Sequence, residues 1–320
     1  MIKKILFFVI CLVLATSQIF AADLLDLVPS DATLVIRSNV KQVIHIPEVK
    51  KAIQEALSKQ NKSEFLKGIE ETGFNPLNDI DSVVLFMPIE GVQGKDALKA
   101  SIALIATGKF KVDVALNSIK NNKDVEGKVV VAEEDGFRTI TGIDDEKGNT
   151  KILFIDDTTV IAGTEKGVNN AKLVKLGKAQ SIKSKQDFSA TITKLNANAS
   201  LAAAIDLPDG VRQFFAGNEL SKPLSSIMFL SFDLTKTNDV AINVIGDFNK
   251  SADMKEVEKS LNSFFSSVKP EELPYDVFTD FFKNHKLSVN GNSAIIATTV
   301  SKASVDKLIE NFGSPERGQK

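Results

Sequence analysis

Along the chain, short stretches in which apolar and polar residues alternate give way repeatedly to stretches with apolar residues three and four apart. The first pattern predicts strands half buried in a sheet, and the second predicts helices with one apolar stripe. Ala32 to Asn39 (ATLVIRSN) alternates after the turn residues Val28-Pro29-Ser30-Asp31 and predicts a strand. Pro47 suits a first helical position, ahead of a stripe of Val49, Ala52, Ile53, Ala56 and Leu57, and a second helix is expected from Ser63 to a stop at Gly73. Two strands are predicted between Asp81 and Phe110, joined by a loop with Gly91 and Gly94. The period then switches to helical through Val112, Ala115, Leu116 and Ile119. Three or four short strands follow from Lys128 to about Thr164, punctuated by Asp135-Gly136 and Lys147-Gly148-Asn149. A helix from about Lys166 to Leu176 ends at Gly177.

After a lysine-rich stretch without periodicity, Lys178 to Ser184, the same order of patterns returns. ASLAAAIDL (Ala199 to Leu207) stands where ATLVIRSN stood, SSIMFLSFDL and DVAINVIGDF repeat the strand pair, and a very regular helix with Val257, Leu261, Phe264, Phe265 and Val268 on one side follows. Gly108 and Phe110 correspond to Gly246 and Phe248, at the same strand end before a helix. Both halves close on a hairpin and a helix, the second hairpin turning at Asn290-Gly291-Asn292. Antiparallel meanders resemble one another by chance, but here the order of elements agrees as well as their type, which points to duplication. The expected fold is α+β: two tandem related lobes, each an antiparallel sheet with helices packed on one face. The expected organisation is a signal peptide at 1–21, a first repeat at 22–178 and a second at 179–320.

The first 21 residues have the make-up of an export signal. Lys3 and Lys4 supply its positive end, Ile5 to Leu14 an apolar core too short to span a bilayer, and Ala21 a small residue at the cut; the competing reading is a retained anchor. Cys11, the one cysteine, lies inside this segment, so the chain after cleavage carries no thiol and no disulfide. That composition points to the periplasm or the exterior of a bacterium. Removal of Lys3 and Lys4 brings the 39 basic residues to 37 against 41 acidic, a near balance that offers nucleic acid no electrostatic footprint. No later stretch is apolar enough to cross a membrane. With no Trp and one Tyr (Tyr275), aromatic platforms for sugars or choline-like ligands are not expected.

Candidate chemistry is sparse. His45 and His285 lie in different halves and no GxSxG elbow accompanies them, so neither is assigned to a Ser-His-Asp triad; GxxxxGK[ST] and GxGxxG are also absent. Carboxylates crowd three expected turns: Glu133, Glu134 and Asp135; Asp144, Asp145 and Glu146; and Asp156 and Asp157. Asp144 to Asn149 superficially resembles a calcium loop, but Lys147 occupies a ligand place and no closing Glu follows, so solvated hairpin tips explain these residues better. Phe214, Phe215, Phe264, Phe265, Phe278, Phe281 and Phe282 concentrate in the second half. Core packing is their simplest use, although adjacent helical residues point in different directions and one of each pair could line a groove for an acyl chain or an apolar peptide. No catalytic, cofactor-binding or metal-binding residue is assigned.

LVPSDATLVIRSNVKQV, and then GFNPLNDIDSVVLF with ATGKF, resemble exported bacterial families without an assigned function. Such families begin with a P-x-D-A strand and carry a G-[FI]-[ND]-P…DID step into the next. The resemblance covers mainly residues 27 to 120, implies export and a repeated α+β fold, and transfers no active-site residue.

The function expected is that of a non-enzymatic binding or scaffold protein of the bacterial cell envelope, with a protein partner or an apolar ligand and no cofactor. A carrier of lipid or another apolar small molecule is the alternative. A carboxylate-based hydrolase comes third, because paired catalytic carboxyls need a spacing of about 5 to 9.5 Å across a cleft and nothing in the sequence demands one.

Overall fold

A computed structural model describes residues 24–44, 76–89, 100–121, 127–143, 149–217, 221–236 and 238–313. The expected signal segment, Cys11, His45, the two helices between Pro47 and Gly73, the acidic run Asp144 to Glu146 and the tail after Gly313 lie outside the described residues.

Twelve strands form one sheet, in the order β11-β12-β10-β9-β8-β1-β2-β3-β7-β6-β5-β4. They are β1 (Leu34–Ser38), β2 (Ile80–Met87), β3 (Ala103–Gly108), β4 (Val129–Glu134), β5 (Phe137–Gly142), β6 (Thr150–Phe154) and β7 (Thr159–Thr164). The second half adds β8 (Leu201–Asp206), β9 (Ile227–Lys236), β10 (Val240–Phe248), β11 (Lys286–Asn290) and β12 (Ser293–Val300). Neighbouring strands with a defined register run antiparallel. The expectation of two lobes with a sheet apiece is therefore overturned. Alternation along a strand reveals which side chains face inward but not which edges meet. Ala202, Ala203 and Ala204 of β8 are all buried, as an interior strand covered on both faces requires.

The chain divides into two compact units, one reaching to Ser189 and the other starting at Ala190. Strand order is β1-β2-β3-β7-β6 in the first and β8-β9-β10-β12-β11 in the second, so the same path is traced in each, with the β5–β4 hairpin added to the first.

Helices cover both faces of the first unit's strands, not one as expected. On one face α3 (Val112–Asn121; α1 is Val40–Ile44 and α2 Pro76–Asp79) packs Val112 and Leu116 against Val83, Ala106, Phe110, Ile140, Phe154 and Val160. The opposite face buries Val84, Ile105, Leu153 and Ile161 completely, and α4 (Glu165–Lys175) lies along β6 and β7 there with Val168 and Ala171 buried. The adjacent buried pairs Val83-Val84, Ile105-Ala106 and Val160-Ile161 are the sequence signature of strands covered on both sides. Thr164 starts α4 by accepting a hydrogen bond from Gly167 N at 3.1 Å, and Gly177 ends the turn after it at φ +69°. Residues 178–184 are tied down: Ile182 N donates to Val28 O at 2.7 Å, and Ile182 is fully buried. Ser184 donates its hydroxyl to Ser181 O at 2.8 Å, and α5 (Gln186–Lys194) begins after it.

In the second unit α6 (Asp209–Ala216) and α7 (Met254–Ser267) lie over an apolar cluster of Leu207, Ile227, Phe248, Val257 and Ala294. α8 (Asp276–Asn284) packs on β12 and on α9 (Lys302–Gly313). The reverse face of the same strands is more polar, with Ser231, Asp233 and Asp247 buried on β9 and β10. The apolar stripes of α3, α4 and α7 thus each become one layer of a packed core.

Candidate functional site

The seven phenylalanines sit on α6, α7 and α8, and the 100° step between neighbouring helical residues sorts them. Phe215 packs against the apolar cluster, whereas Phe214 is 78% exposed, with the two rings 6.0 Å apart. Phe265 is buried and Phe264 is 53% exposed. On α8, Phe281 and Phe282 turn toward Phe265, with centroids at 6.4 and 5.4 Å, whereas Phe278 is 44% exposed beside Tyr275. The 3₁₀ turn Lys222–Ser226 packs on both α6 and α7, and Phe264 meets Phe282 at 6.1 Å. The three helices are thereby joined, each packing at least one phenylalanine against neighbouring apolar or aromatic groups and presenting one to solvent.

His285 belongs to this cluster. Its ring stacks on Phe265 at 4.0 Å and 16°, and Nδ1 donates to the carbonyl oxygen of Phe282 at 2.7 Å. Because a carbonyl only accepts, the proton sits on Nδ1. The side chain closes the end of α8, and Thr298 does the same by donating to Phe281 O at 3.1 Å.

The described acidic turns are held by cations and by hydroxyl and backbone donors. The turn between β4 and β5 places Asp135 and Gly136 at φ +52° and +82°, the two successive positive values of a tight hairpin. Glu134 Oε2 accepts from Lys151 Nζ at 2.6 Å and Lys172 Nζ at 3.2 Å, and Asp135 lies 2.9 Å from Lys172. The Lys151 hydrogen bond holds the Glu134 carboxyl below its ordinary range, and Lys172 does the same for Asp135 and is itself pushed up. Lys151 is only 3% exposed, and Asn169 Oδ1 accepts a second bond from it at 3.2 Å. Asp156 Oδ1 accepts from the backbone and hydroxyl of Thr158 at 2.8 and 2.6 Å, and Asp157 lies 3.6 Å from Arg138. Among the described residues no three His, Cys, Asp or Glu gather to hold a metal ion.

Two carboxylates with structural roles escaped the sequence reading, Asp247 buried and Asp280 partly buried. Asp247 of β10 accepts from Thr191 at 2.6 Å, from Lys194 at 2.7 Å and from Ser293. Burial by itself would raise this carboxyl, but the three donors outweigh it and hold it low. Asp280 of α8 accepts from Ser301 N and from the hydroxyls of Ser301 and Ser304, fastening α8 to the start of α9; its carboxyl is likewise held low against the pull of desolvation. A charged residue inside an apolar strand, as in Gly246-Asp247-Phe248 or Lys151-Ile152-Leu153-Phe154, was the available signal.

Two open depressions are lined by polar side chains. One, of about 430 Å³, is bounded by Asn149, Glu165, Lys166, Asn169 and Asn170; the other, of about 510 Å³, follows Lys255, Glu258, Lys259, Asn262 and Ser266 along α7. Neither has the apolar lining an acyl chain needs. Among the described residues no helix is long and apolar enough to cross a membrane.

The chain is thus an α+β protein built on a single twelve-stranded sheet. No protein-family model and no curated protein matches it. It is similar to a solved structure titled "Structure of crystal form I of TP0453", at 12% identity, covering 91% of this chain and 97% of that one, with a TM-score of 0.45.

Proposed function

We propose that this is an exported, non-enzymatic binding protein of the bacterial envelope, which engages a protein partner through the phenylalanine-bearing helices of its second unit. The observation that carries this reading is the exposure of Phe214, Phe264 and Phe278 on three helices joined to one another. Large aromatic side chains held at the surface by a rigid scaffold are what binding anchors are made of. The export reading rests on Lys3, Lys4 and the apolar run from Ile5 to Leu14. A binding role accords with the way Glu134, Asp135, Asp247 and Asp280 are engaged in structural hydrogen bonds. The polar lining of the two depressions gives the lipid-carrier alternative no support.

The test compares the wild type with Phe214→Ser, Phe264→Ser and Phe278→Ser combined, by crosslinking in intact cells that export the protein. A discrete adduct in the wild type that the triple variant loses, with both chains equally folded by circular dichroism, is the expected result. Each exposed substitution should change stability by no more than about 0.5 kcal/mol, so a loss of the adduct reads out the surface. An adduct indifferent to the three substitutions, or turnover of ester, peptide or glycoside substrates by the purified protein, overturns the reading.

A further inference from the structure

Among the described residues β11 and β4 end the sheet, and the two edges are built differently. β11 is five residues long and alternates, exposing Lys286, Ser288 and Asn290, the polar dressing that discourages edge pairing. β4 reads Val129-Val130-Val131-Ala132-Glu133-Glu134, with four apolar residues, three of them β-branched, and no Pro, Gly or bulge. Val130 is 48% exposed.

The hairpin dictates which main-chain groups of β4 look outward. Glu134 and Phe137 flank the two-residue turn, and Ile143 N donates to Lys128 O at 2.9 Å at the far end of the ladder. Hydrogen-bonded pairs alternate along an antiparallel ladder, so Lys128, Val130, Ala132 and Glu134 bond inward to β5. The N–H and C=O groups of Val129, Val131 and Glu133 point away from it. An antiparallel strand added here must therefore match odd-numbered residues with its own outward-facing groups.

A second copy of the same strand meets this condition in one register with opposite charges face to face. With a two-fold axis at Val131, each Val131 faces its counterpart, Val129 faces Glu133, Val130 faces Ala132, and Lys128 faces Glu134. Sliding two residues either way takes Lys128 away from Glu134 of the other strand. Val129 and Val131 already pack against the cluster beneath α3, so pairing extends an existing apolar layer across the axis. We propose that β4 is a homodimerisation edge, two copies joining their strands antiparallel about Val131, an isologous contact of the kind that closes into a dimer. It does not rest on the function proposed above.

The test is sedimentation and light scattering of the full chain at about 100 µM, a concentration that populates even a micromolar interface, together with two substitutions. Val131→Pro removes an N–H that points away from β5, so the hairpin retains its own ladder while the intermolecular one is broken. Val131→Cys, in a Cys11→Ser background so that no other thiol is present, places two thiols across the axis at a separation a disulfide spans. A dimer that Val131→Pro converts to monomer with an unchanged circular dichroism spectrum, and that Val131→Cys locks covalently while Val130→Cys does not, is the expected result. A wild-type monomer at that concentration, or a dimer that survives Val131→Pro and forms no disulfide at 131, overturns the proposal. So does an adduct at 131 with a different protein.

Discussion

The buried hydroxyl of Thr191 donates to the carboxylate of Asp247 across 2.6 Å, joining α5 to β10 inside the second unit. Lys194 and Ser293 complete the shell, so the carboxylate is charged and satisfied although little of it reaches water. Its folded-state pKa lies below the ordinary value, so its stabilising effect is present above the unfolded pKa and is lost as pH falls through the folded one. Asp247→Asn should cost about 2 kcal/mol at pH 7. Thermal melts from pH 7 down to pH 3 should show the wild type losing more stability below about pH 4 than the variant does. Parallel acid curves for the two proteins would remove Asp247 from the explanation.

Gly108 and Gly246 occupy matching strand ends but stand in different surroundings. A Cβ on Gly108 would lie 2.0 Å from the carbonyl oxygen of Asp79, which is backbone and cannot turn aside. On Gly246 it would meet Ile227 Cδ1 at 3.0 Å and the Phe248 ring at 3.2 Å, both side chains. Gly108→Ala should therefore destabilise by about 3 kcal/mol and Gly246→Ala by about 1 kcal/mol, on the scale of overpacked cores. Denaturant midpoints of the two variants check the order, and a larger loss at Gly246 contradicts it.

Lys151 and Glu134 form a pair whose lysine is almost wholly enclosed. Glu134→Gln leaves that ammonium without its anion and should cost about 3 kcal/mol, whereas Lys151→Met replaces charge by a flexible apolar chain and should be near neutral, since Lys172 still faces Glu134. Urea unfolding distinguishes the two, and equal losses would refute the asymmetry.

The strands and helices were legible wherever one period held over a whole element. α7 follows from Val257, Leu261 and Phe265, and the second hairpin follows from Asn290-Gly291-Asn292. That adjacent phenylalanines point in different directions was legible from the helical step, but which of each pair faces solvent was not: Phe264, expected on the apolar side of α7, is exposed. Nor was the buried carboxylate legible. Asp247 owes its setting to Lys194 and Ser293, one 53 positions before it and the other 46 after, and no local pattern announces such donors.

The sequence by itself determined the order of the described strands and helices and which of their residues share a face, because these follow from spacings of two, three and four residues. Only the tertiary structure decided that the strands share one sheet, that helices lie on both faces of the first unit, and that the acidic β4–β5 turn lies against Lys151 and Lys172. Strand edges and charged tips find partners through contacts between residues far apart in the chain, and a local period carries no record of them.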